Sequence, residues 1–313
     1  MIYTVTLNPA LDKTVVIPDF SVNKVNRIQS LRTDVGGKGI NVSKCISVLN
    51  EKSTALVLLG GATGEKIKSF LEQEPNTEPL DIWTTQGETR TNLKVVDPSL
   101  CSNTDINEPG PMADGNILTA ARDKLLSHLQ PGDIVVFSGS LPKGVEPSLY
   151  REWGILCREK GAYVFLDADS KALALGLESQ PFLVKPNREE LSGLFGENLA
   201  DDAALVQAGR ALISRGVKRV VISTGGEGAL FISEEDSFRV IAPKVQVQST
   251  VGAGDSMVAA LAYGTYKNLP WREQAKLAVA FGSASVACAG TQSPALETIQ
   301  ELLKQVQIAE IAS

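Results

Sequence analysis

Residues 249–256 read Ser-Thr-Val-Gly-Ala-Gly-Asp-Ser and run directly into an apolar stretch, residues 257–266. Two glycines before a helix let backbone N–H groups converge, and the helix N-terminus adds a partial positive charge. This pattern predicts an anion cradle at residues 252–254 that can stabilise developing negative charge. Asp255 lies in the first predicted helical turn, where its carboxylate can accept a proton from a hydroxyl. The alternative is an Asp that only caps the helix, and the segment alone favours neither.

A second glycine-rich segment opens an earlier helix. Residues 36–41 read Gly-Gly-Lys-Gly-Ile-Asn. The glycines allow a ligand to approach the backbone, Lys38 supplies charge, and Asn41 offers a donor and an acceptor, a combination that suits a polyhydroxy substrate. The segment is neither a Walker A loop nor a complete G-x-G-x-x-G motif. A helix start with an exposed lysine is the simpler interpretation of this segment by itself.

The third segment, residues 185–190, follows an apolar run and reads Lys-Pro-Asn-Arg-Glu-Glu. Asn187 and Glu190 are three residues apart at a predicted helix start and share a face. An amide and a carboxylate at a strand end can hold Mg²⁺ indirectly, through water. A capping box, with Asn187 as N-cap and Glu190 as its partner, explains the same two residues. Both interpretations can hold together.

The rest of the chain alternates strand-like and helix-like segments. Runs rich in Val, Ile and Leu occur at residues 2–7, 55–59, 134–138, 163–167, 182–185 and 219–223. Several are apolar almost throughout, as expected of parallel strands covered on both faces. Helical patterns such as residues 201–215 lie between them. The alternation predicts an α/β fold, a Rossmann-like doubly wound, mostly parallel sheet with helices on both faces.

Two stretches break this alternation. Residues 12–35 and 81–107 alternate polar and apolar residues, with turn formers between them. Such segments suit short antiparallel strands with one exposed face. The sequence therefore predicts a small β-sheet lid made of these two stretches. The core would then consist of residues 1–11, 36–80 and 108–313.

Composition excludes several classes of function. The net charge of −6 argues against a nucleic-acid or anionic-membrane binder. With one histidine and four widely spaced cysteines, a zinc site is disfavoured. The N-terminal residues lack a basic region followed by an apolar one, so no secretory signal is predicted and we expect a cytoplasmic protein.

The motifs together, in this order, resemble the PfkB (ribokinase-like) family of carbohydrate kinases over nearly the full length. Residues 36–41 look like the family's first signature, residues 250–255 like its second, and residues 187–190 like its N-x-x-E motif. The resemblance implies a Rossmann-like domain with a β-sheet lid, ATP as phosphoryl donor and Mg²⁺ as cofactor. It also implies a homodimer through the lid as a further expectation. Ser249 departs from the Asp or Asn of many relatives, which leaves their monovalent-cation site an open question here.

The resemblance also implies roles for single residues. The catalytic base would be Asp255, with an anion hole at Gly252, Ala253 and Gly254. Mg²⁺ would be held through water by Asn187 and Glu190. The residues along ATP would be Lys185, Asn187, Ser223, Gly225, Gly228 and Ser283. Sugar hydroxyls would be held by Asp12, Gly37, Lys38 and Asn41, and an existing substrate phosphate by Arg27, Lys38, Arg90 and Ser138.

Further similarity is to the branch of the family that acts on phosphorylated sugars. It is carried by residues 6–10, 26–27, 89–92 and 138–142. The expected activity is therefore phosphorylation of a ketohexose phosphate by ATP, with fructose 1-phosphate favoured and tagatose 6-phosphate the alternative. A non-catalytic sugar-phosphate sensor is a more distant alternative. A nucleotide-dependent dehydrogenase is disfavoured because no complete G-x-G-x-x-G follows the first strand.

Overall fold

The main sheet contains ten strands in the order β14-β13-β12-β11-β10-β9-β8-β1-β4-β5. The computed structural model describes residues 1–288, Gly290 and residues 292–311. Its strands are β1 (Ile2–Thr6), β2 (Ala10–Val16), β3 (Ser30–Gly36), β4 (Ser53–Gly60), β5 (Thr77–Thr84), β6 (Arg90–Asp97), β7 (Ser102–Asn107), β8 (Ile134–Ser138), β9 (Tyr163–Asp167), β10 (Leu183–Val184), β11 (Arg219–Ser223), β12 (Ala229–Ser233), β13 (Ser237–Ile241) and β14 (Gln307–Glu310).

Helices cover both faces of this sheet. They are α1 (Lys38–Val48), α2 (Gly61–Gln73), α3 (Gly115–His128), α4 (Leu149–Glu159), α5 (Ser170–Gly176), α6 (Arg188–Phe195), α7 (Asp202–Ser214), α8 (Ala253–Tyr266), α9 (Trp271–Val286) and α10 (Leu296–Leu303). Two short 3₁₀ helices lie at Leu177–Ser179 and Gly225–Glu227.

Among the residues described, no helix has the length and apolar character needed to cross a membrane.

Strand β1 shows why the sheet is buried on both sides. All five of its residues are buried. Tyr3 and Val5 pack in one core cluster, which also takes side chains from α3, α4, α6 and α7. Ile2 packs in the opposite cluster with α1, α8, α9 and α10. Apolar side chains on both faces of a central strand require helices on both sides. The predicted fold class is confirmed.

The strand order reverses between β1 and β8. From β1 the sheet extends through β4 to β5, and from β8 it extends the other way through β9 and β10 to β11, all in parallel. Strands β12, β13 and β14 then add as an antiparallel edge. In open α/β sheets, ligands bind beyond the carboxyl ends of the strands where the order reverses. The chain therefore has its crevice beyond β1 and β8.

A separate four-stranded sheet, the small sheet, has the order β3-β2-β6-β7. Strand β2 pairs antiparallel with β3 but parallel with β6. The sequence predicted only antiparallel pairs in this sheet, and this prediction is wrong for β2 and β6. The predicted boundaries are also wrong in three places. Gly36, assigned to the core, is the last residue of β3 and pairs with Ala10. Ala10 and Leu11 belong to β2, and residues 81–84 belong to β5, which pairs with β4 in the main sheet. As the edge strand, β5 buries only Thr77, Leu80 and Thr84 and leaves its other residues partly or fully exposed, so it is covered as incompletely as the strands of the small sheet.

Candidate active site

The start of α8 forms the floor of the site. Gly252 precedes the helix with φ of 85°, in the left-handed region that favours glycine. The first helical hydrogen bond runs from the Ser256 N–H to the Gly252 carbonyl at 2.9 Å. The N–H groups of residues 253–255 therefore project from the helix end, as in other anion cradles. Asp255 lies in this first turn and is only 6% exposed.

Asn41 of α1 holds the Asp255 carboxylate. Its Nδ2 donates to Asp255 Oδ2 at 2.8 Å in a buried contact between residues 214 positions apart. Helix α1 begins at Lys38, directly after Gly37, which has φ of 123°. The buried Oδ1 of Asn41 has no hydrogen-bond partner among the residues described, and Asn41 lines the cavity. The two glycine-rich motifs thus meet, with an amide oxygen left for a ligand.

The pKa of Asp255 is raised to about 6. Burial is the main cause, because it disfavours the charged form, and the nearby Asp167 carboxylate adds to it. The hydrogen bond from Asn41 and the charges of Lys38 and Lys185 oppose the shift. Asp255 is therefore largely ionised at neutral pH, and its basicity is greater than that of an ordinary carboxylate.

Two lysines lie near Asp255 and are paired with acidic residues at the end of β9 and just beyond it. Lys185 Nζ lies 3.4 Å from Asp167 Oδ1, and both side chains are buried. Lys38 Nζ lies 3.0 Å from Asp169 Oδ1 and 3.9 Å from Asp167 Oδ2. Burial lowers the pKa of Lys38, but the two carboxylates outweigh this and raise it. A Cβ placed on Gly254 would lie 3.1 Å from Lys185 Nζ, so this ammonium stands beside the cradle.

One cavity of about 910 Å³ connects these groups. Its lining includes Asp12, Gly37, Lys38, Asn41, Arg90, Lys185, Asn187, Glu190, Ser223, Gly225, Gly228, Gly252, Ala253, Gly254, Asp255 and Ser283. At one end the wall is apolar and contains Val245, Val247, Val279 and Val286. An apolar slot beside a polar centre is suited to a planar base attached to phosphates.

A tight turn between β11 and β12 borders this slot. It is the 3₁₀ helix Gly225–Glu227, and it joins two antiparallel strands. A Cβ on Gly225 would meet nothing within 4 Å, which leaves the backbone open to a ligand. A Cβ on Gly228 would lie 2.0 Å from the Val240 carbonyl oxygen, so no side chain fits there. The segment is both a hairpin turn and a wall of the cavity.

Asn187 and Glu190 form the capping box of α6. The Glu190 N–H donates to Asn187 Oδ1 at 2.8 Å, and the Asn187 N–H donates to Glu190 Oε2 at 2.9 Å. Within the described ranges, no group of three or more His, Cys, Asp or Glu side chains is arranged to hold a metal ion. The two residues fit Mg²⁺ that is bound mainly by phosphate and water and steadied by one carboxylate from the protein.

A second cavity of about 240 Å³ adjoins the first and shares Gly37, Lys38 and Arg90 with it. It lies beyond the carboxyl ends of β1 and β8, where the strand order reverses. Three buried side-chain oxygens of its lining have no partner among the described residues: Thr6 Oγ1, Asn8 Oδ1 and Ser138 Oγ. Buried polar atoms without partners indicate a ligand that satisfies them.

Arg90 lines both cavities, and its guanidinium is held by a backbone carbonyl. Its Nε and Nη2 donate to the Asn8 carbonyl oxygen at 3.2 and 3.0 Å. Nearby, Asn92 Nδ2 donates to Asp12 Oδ1 at 2.8 Å, and burial raises the pKa of Asp12. The guanidinium is thus oriented by the end of β1, and its remaining N–H groups are available to an anion.

The structure brings together every predicted site residue except Arg27. That residue is exposed on the loop between β2 and β3 and lines neither cavity, so its contact with a substrate phosphate stays a prediction. The prediction missed Thr6, Asn8 and Asp167. All three lie at or beside the carboxyl ends of parallel strands, a position that could have identified them.

Comparisons with known proteins show the family of this chain. A family model described as pfkB family carbohydrate kinase matches residues 5–299. The chain belongs to the PfkB family.

Its PfkB relatives include a 1-phosphofructokinase of Bacillus subtilis (strain 168), 38% identical over 99% of this chain and 100% of the relative. A tagatose-6-phosphate kinase of Staphylococcus epidermidis is 31% identical over 99% of this chain and 100% of the relative. The crystal structure of phosphofructokinase-2 from Escherichia coli in complex with substrates and products matches with a TM-score of 0.92. It is 32% identical and covers 97% of this chain and 98% of that one.

Proposed function

We propose that this PfkB-family chain transfers the γ-phosphoryl group of ATP to a terminal hydroxyl of fructose 1-phosphate, giving fructose 1,6-bisphosphate. The observation that carries the proposal is the pair of adjoining cavities. The larger cavity contains Asp255 and the α8 cradle, and the smaller holds unpartnered buried oxygens beside two cations. The phosphates of ATP would bind in the larger cavity, and the phosphate already present on the acceptor would bind in the smaller one.

In the proposed reaction Asp255 accepts the proton of the attacking hydroxyl. The hydroxyl oxygen forms the new bond to the γ-phosphorus, and the bond to the ADP oxygen breaks, so that ADP keeps the electron pair. The N–H groups of residues 253–255 and the Lys185 ammonium stabilise the charge on the transferred group. Mg²⁺, when bound, neutralises charge on the phosphates, and Asn187 and Glu190 would hold it through water.

The acceptor's own phosphate would bind in the smaller cavity. Lys38 and Arg90 supply positive charge there, and Ser138 supplies a hydroxyl. The 1-phosphofructokinase relative favours fructose 1-phosphate, and the tagatose-6-phosphate kinase makes tagatose 6-phosphate the second candidate. A sensor without activity is disfavoured, because a sensor has no need of a buried base hydrogen-bonded to Asn41.

The test is a substrate panel. Fructose 1-phosphate, tagatose 6-phosphate, fructose 6-phosphate and free fructose are each supplied with ATP and Mg²⁺, and ADP release is measured. We expect the highest kcat/KM for fructose 1-phosphate, and a lower value for free fructose by several powers of ten. Equal kcat/KM for fructose and fructose 1-phosphate would refute the phosphate pocket. Absence of ADP release with all four would refute kinase activity on ketohexoses.

The small sheet would act as a lid over the sugar and as the surface of a homodimer. Asp12 and Asn92, on its strands β2 and β6, line the larger cavity. On its other face Leu31 is 57% exposed and Ile106 52% exposed. Exposed apolar side chains on a sheet are typical of a surface that pairs with a second copy. A cytoplasmic location is part of the proposal, because ATP is the donor.

A further inference from the structure

A third cleft lies away from the active site, where the small sheet joins the core. It has a volume of about 320 Å³, and we call it the root cleft. Strands β2 and β3 form one side, and α1 and α2 form the other. None of its lining residues lines either cavity of the active site.

The root cleft concentrates positive charge in an acidic protein. Lys13 of β2, Lys44 of α1 and Lys66 of α2 all line it, although the chain has a net charge of −6. Its lining carboxylate, Asp34, already accepts a hydrogen bond from Arg32 Nε at 2.7 Å. Within the part of the chain that the structure describes, neither Lys13 nor Lys66 has a carboxylate oxygen within 4.0 Å; the nearby Glu88 acts on Lys66 only at longer range and accepts its hydrogen bonds from the N–H groups of Ala62 and Thr63. Three ammonium groups around one concavity attract anions.

The remaining wall of the cleft is apolar. Leu11 and Val35 are register partners on β2 and β3, and Phe70 faces them from α2. Lys44 Nζ is positioned 5.5 Å from the centre of the Phe70 ring and 3.5 Å from the Val35 carbonyl oxygen. A cationic rim beside an aromatic wall is suited to a molecule that has an anionic group and a carbon skeleton.

We propose that the root cleft binds a small phosphorylated metabolite as a second, non-catalytic site. Lys13, Lys44 and Lys66 hold the phosphate, and the carbon skeleton lies against Phe70. The site does not depend on the proposed kinase reaction. Its ligand would nevertheless contact β2, the strand that contributes Asp12 to the larger cavity. Leu11 and Lys13 flank Asp12 on β2, and Asp12 lines the catalytic cavity from the opposite face of the strand.

The test uses phenyl phosphate, which combines a phosphate group with an aromatic ring. Its binding to the whole chain is measured by titration calorimetry at low salt, without ATP. Lys66→Ala should weaken binding about fivefold, since it removes one charge-assisted contact at an exposed site. The matched control Lys304→Ala, an exposed lysine far along the chain on the cap of α10, should bind like the wild type.

Arg90→Ala distinguishes the root cleft from the substrate pocket. If the cleft is the site, Arg90→Ala leaves the affinity for phenyl phosphate unchanged. The proposal would be overturned if Arg90→Ala bound phenyl phosphate more weakly while Lys66→Ala bound it as the wild type does. It would also be overturned if the wild type did not bind phenyl phosphate. Lys13→Gln is the second variant and should also weaken binding. Turnover of Lys66→Ala is measured separately, so failure of the cleft and failure of the kinase reaction remain distinct.

Discussion

At the scale of single residues, the environment of Asp255 determines what the site can do. Its carboxylate is buried, accepts a hydrogen bond from Asn41 and lies near the negative charge of Asp167. These surroundings bring its pKa to about 6. A base whose pKa lies close to the working pH is effective and still largely ionised.

Asp255→Asn should therefore keep nucleotide and sugar-phosphate binding but lower kcat by about two powers of ten or more, because an amide cannot accept the proton. The measurement is steady-state kinetics with KM determined for both substrates. Asn41→Ala should reduce kcat less, since it leaves the carboxylate in place. Turnover of Asp255→Asn close to that of the wild type would contradict the assignment of the base.

The pH dependence tests the same residue by another route. Activity should fall as the pH drops below about 6, because protonation of Asp255 removes the base. Asp167→Asn removes a negative charge that raises this pKa, so the ionised form of Asp255 is favoured. The acid limb of kcat/KM should then move to lower pH in the variant. A limb that stays in place or moves upward would show that Asp167 does not act on Asp255.

Arg90 provides the test of substrate recognition. Arg90→Ala should raise KM for fructose 1-phosphate by about 10- to 100-fold, the effect expected of losing a charge-assisted contact. KM for ATP should stay nearly constant, because Arg90 lines both cavities and its anchor, the Asn8 carbonyl, belongs to a residue of the smaller one. Arg158→Ala is the control, as Arg158 contacts Gln180 on the surface. Equal weakening of both substrates would argue that Arg90 mainly supports the fold.

The motifs predicted most of these residues because glycines and charges at helix starts are visible in the sequence. Thr6 and Asn8 carry no such signal, since their role follows from the position of β1 beside β8. Arg27 was predicted from its neighbourhood in the sequence, but its loop lies at the far end of β2. Sequence neighbourhood identifies a segment, and only the tertiary arrangement shows which of its side chains reach the site.

At the scale of elements, the hairpin β11–β12 combines backbone strain with ligand access. Gly228 has φ of 99° and no space for a Cβ. Gly226, two residues earlier, has nothing within 4 Å of such an atom. The sequence shows glycines at residues 225, 226 and 228, but the separate requirements of Gly226 and Gly228 depend on how β13 packs against the turn.

Gly228→Ala should lower the free energy of unfolding by about 2 kcal/mol or more, because the backbone conformation disfavours a side chain and a Cβ would meet the Val240 carbonyl. Gly226→Ala is the matched control and should change it by less than about 0.5 kcal/mol. Urea denaturation measures both. We also expect a higher KM for ATP in Gly228→Ala alone. Equal stability of the two variants would refute this account of the turn.

At the scale of the whole molecule, the fold class followed from the sequence, but the limits of the small sheet did not. Residues 81–84 are mostly half-buried, as many residues of the small sheet are, although they form the edge of the main sheet. An edge strand and a strand of a two-faced sheet each bury one side. Local pattern therefore cannot distinguish them, and the pairing partner decides.

The homodimer through the small sheet is tested by one substitution. Leu31→Glu places a charge on the exposed apolar face and should convert the dimer to a monomer in sedimentation experiments. Ile241→Glu is the control, because Ile241 is 40% exposed on β13, away from that sheet. A wild-type chain that sediments as a monomer would contradict the proposed dimer, as would an unchanged dimer in Leu31→Glu.

The separation of Asn41 and Asp255 has a consequence for synthesis. These partners are 214 residues apart, and Ser283 of α9 lines the same cavity. A chain emerging from the ribosome therefore presents Asn41 early but lacks the proposed base, Asp255, until most of its length has been translated. Under the proposed function, catalytic competence arrives only with the last fifth of the polypeptide, which contains both Asp255 and Ser283.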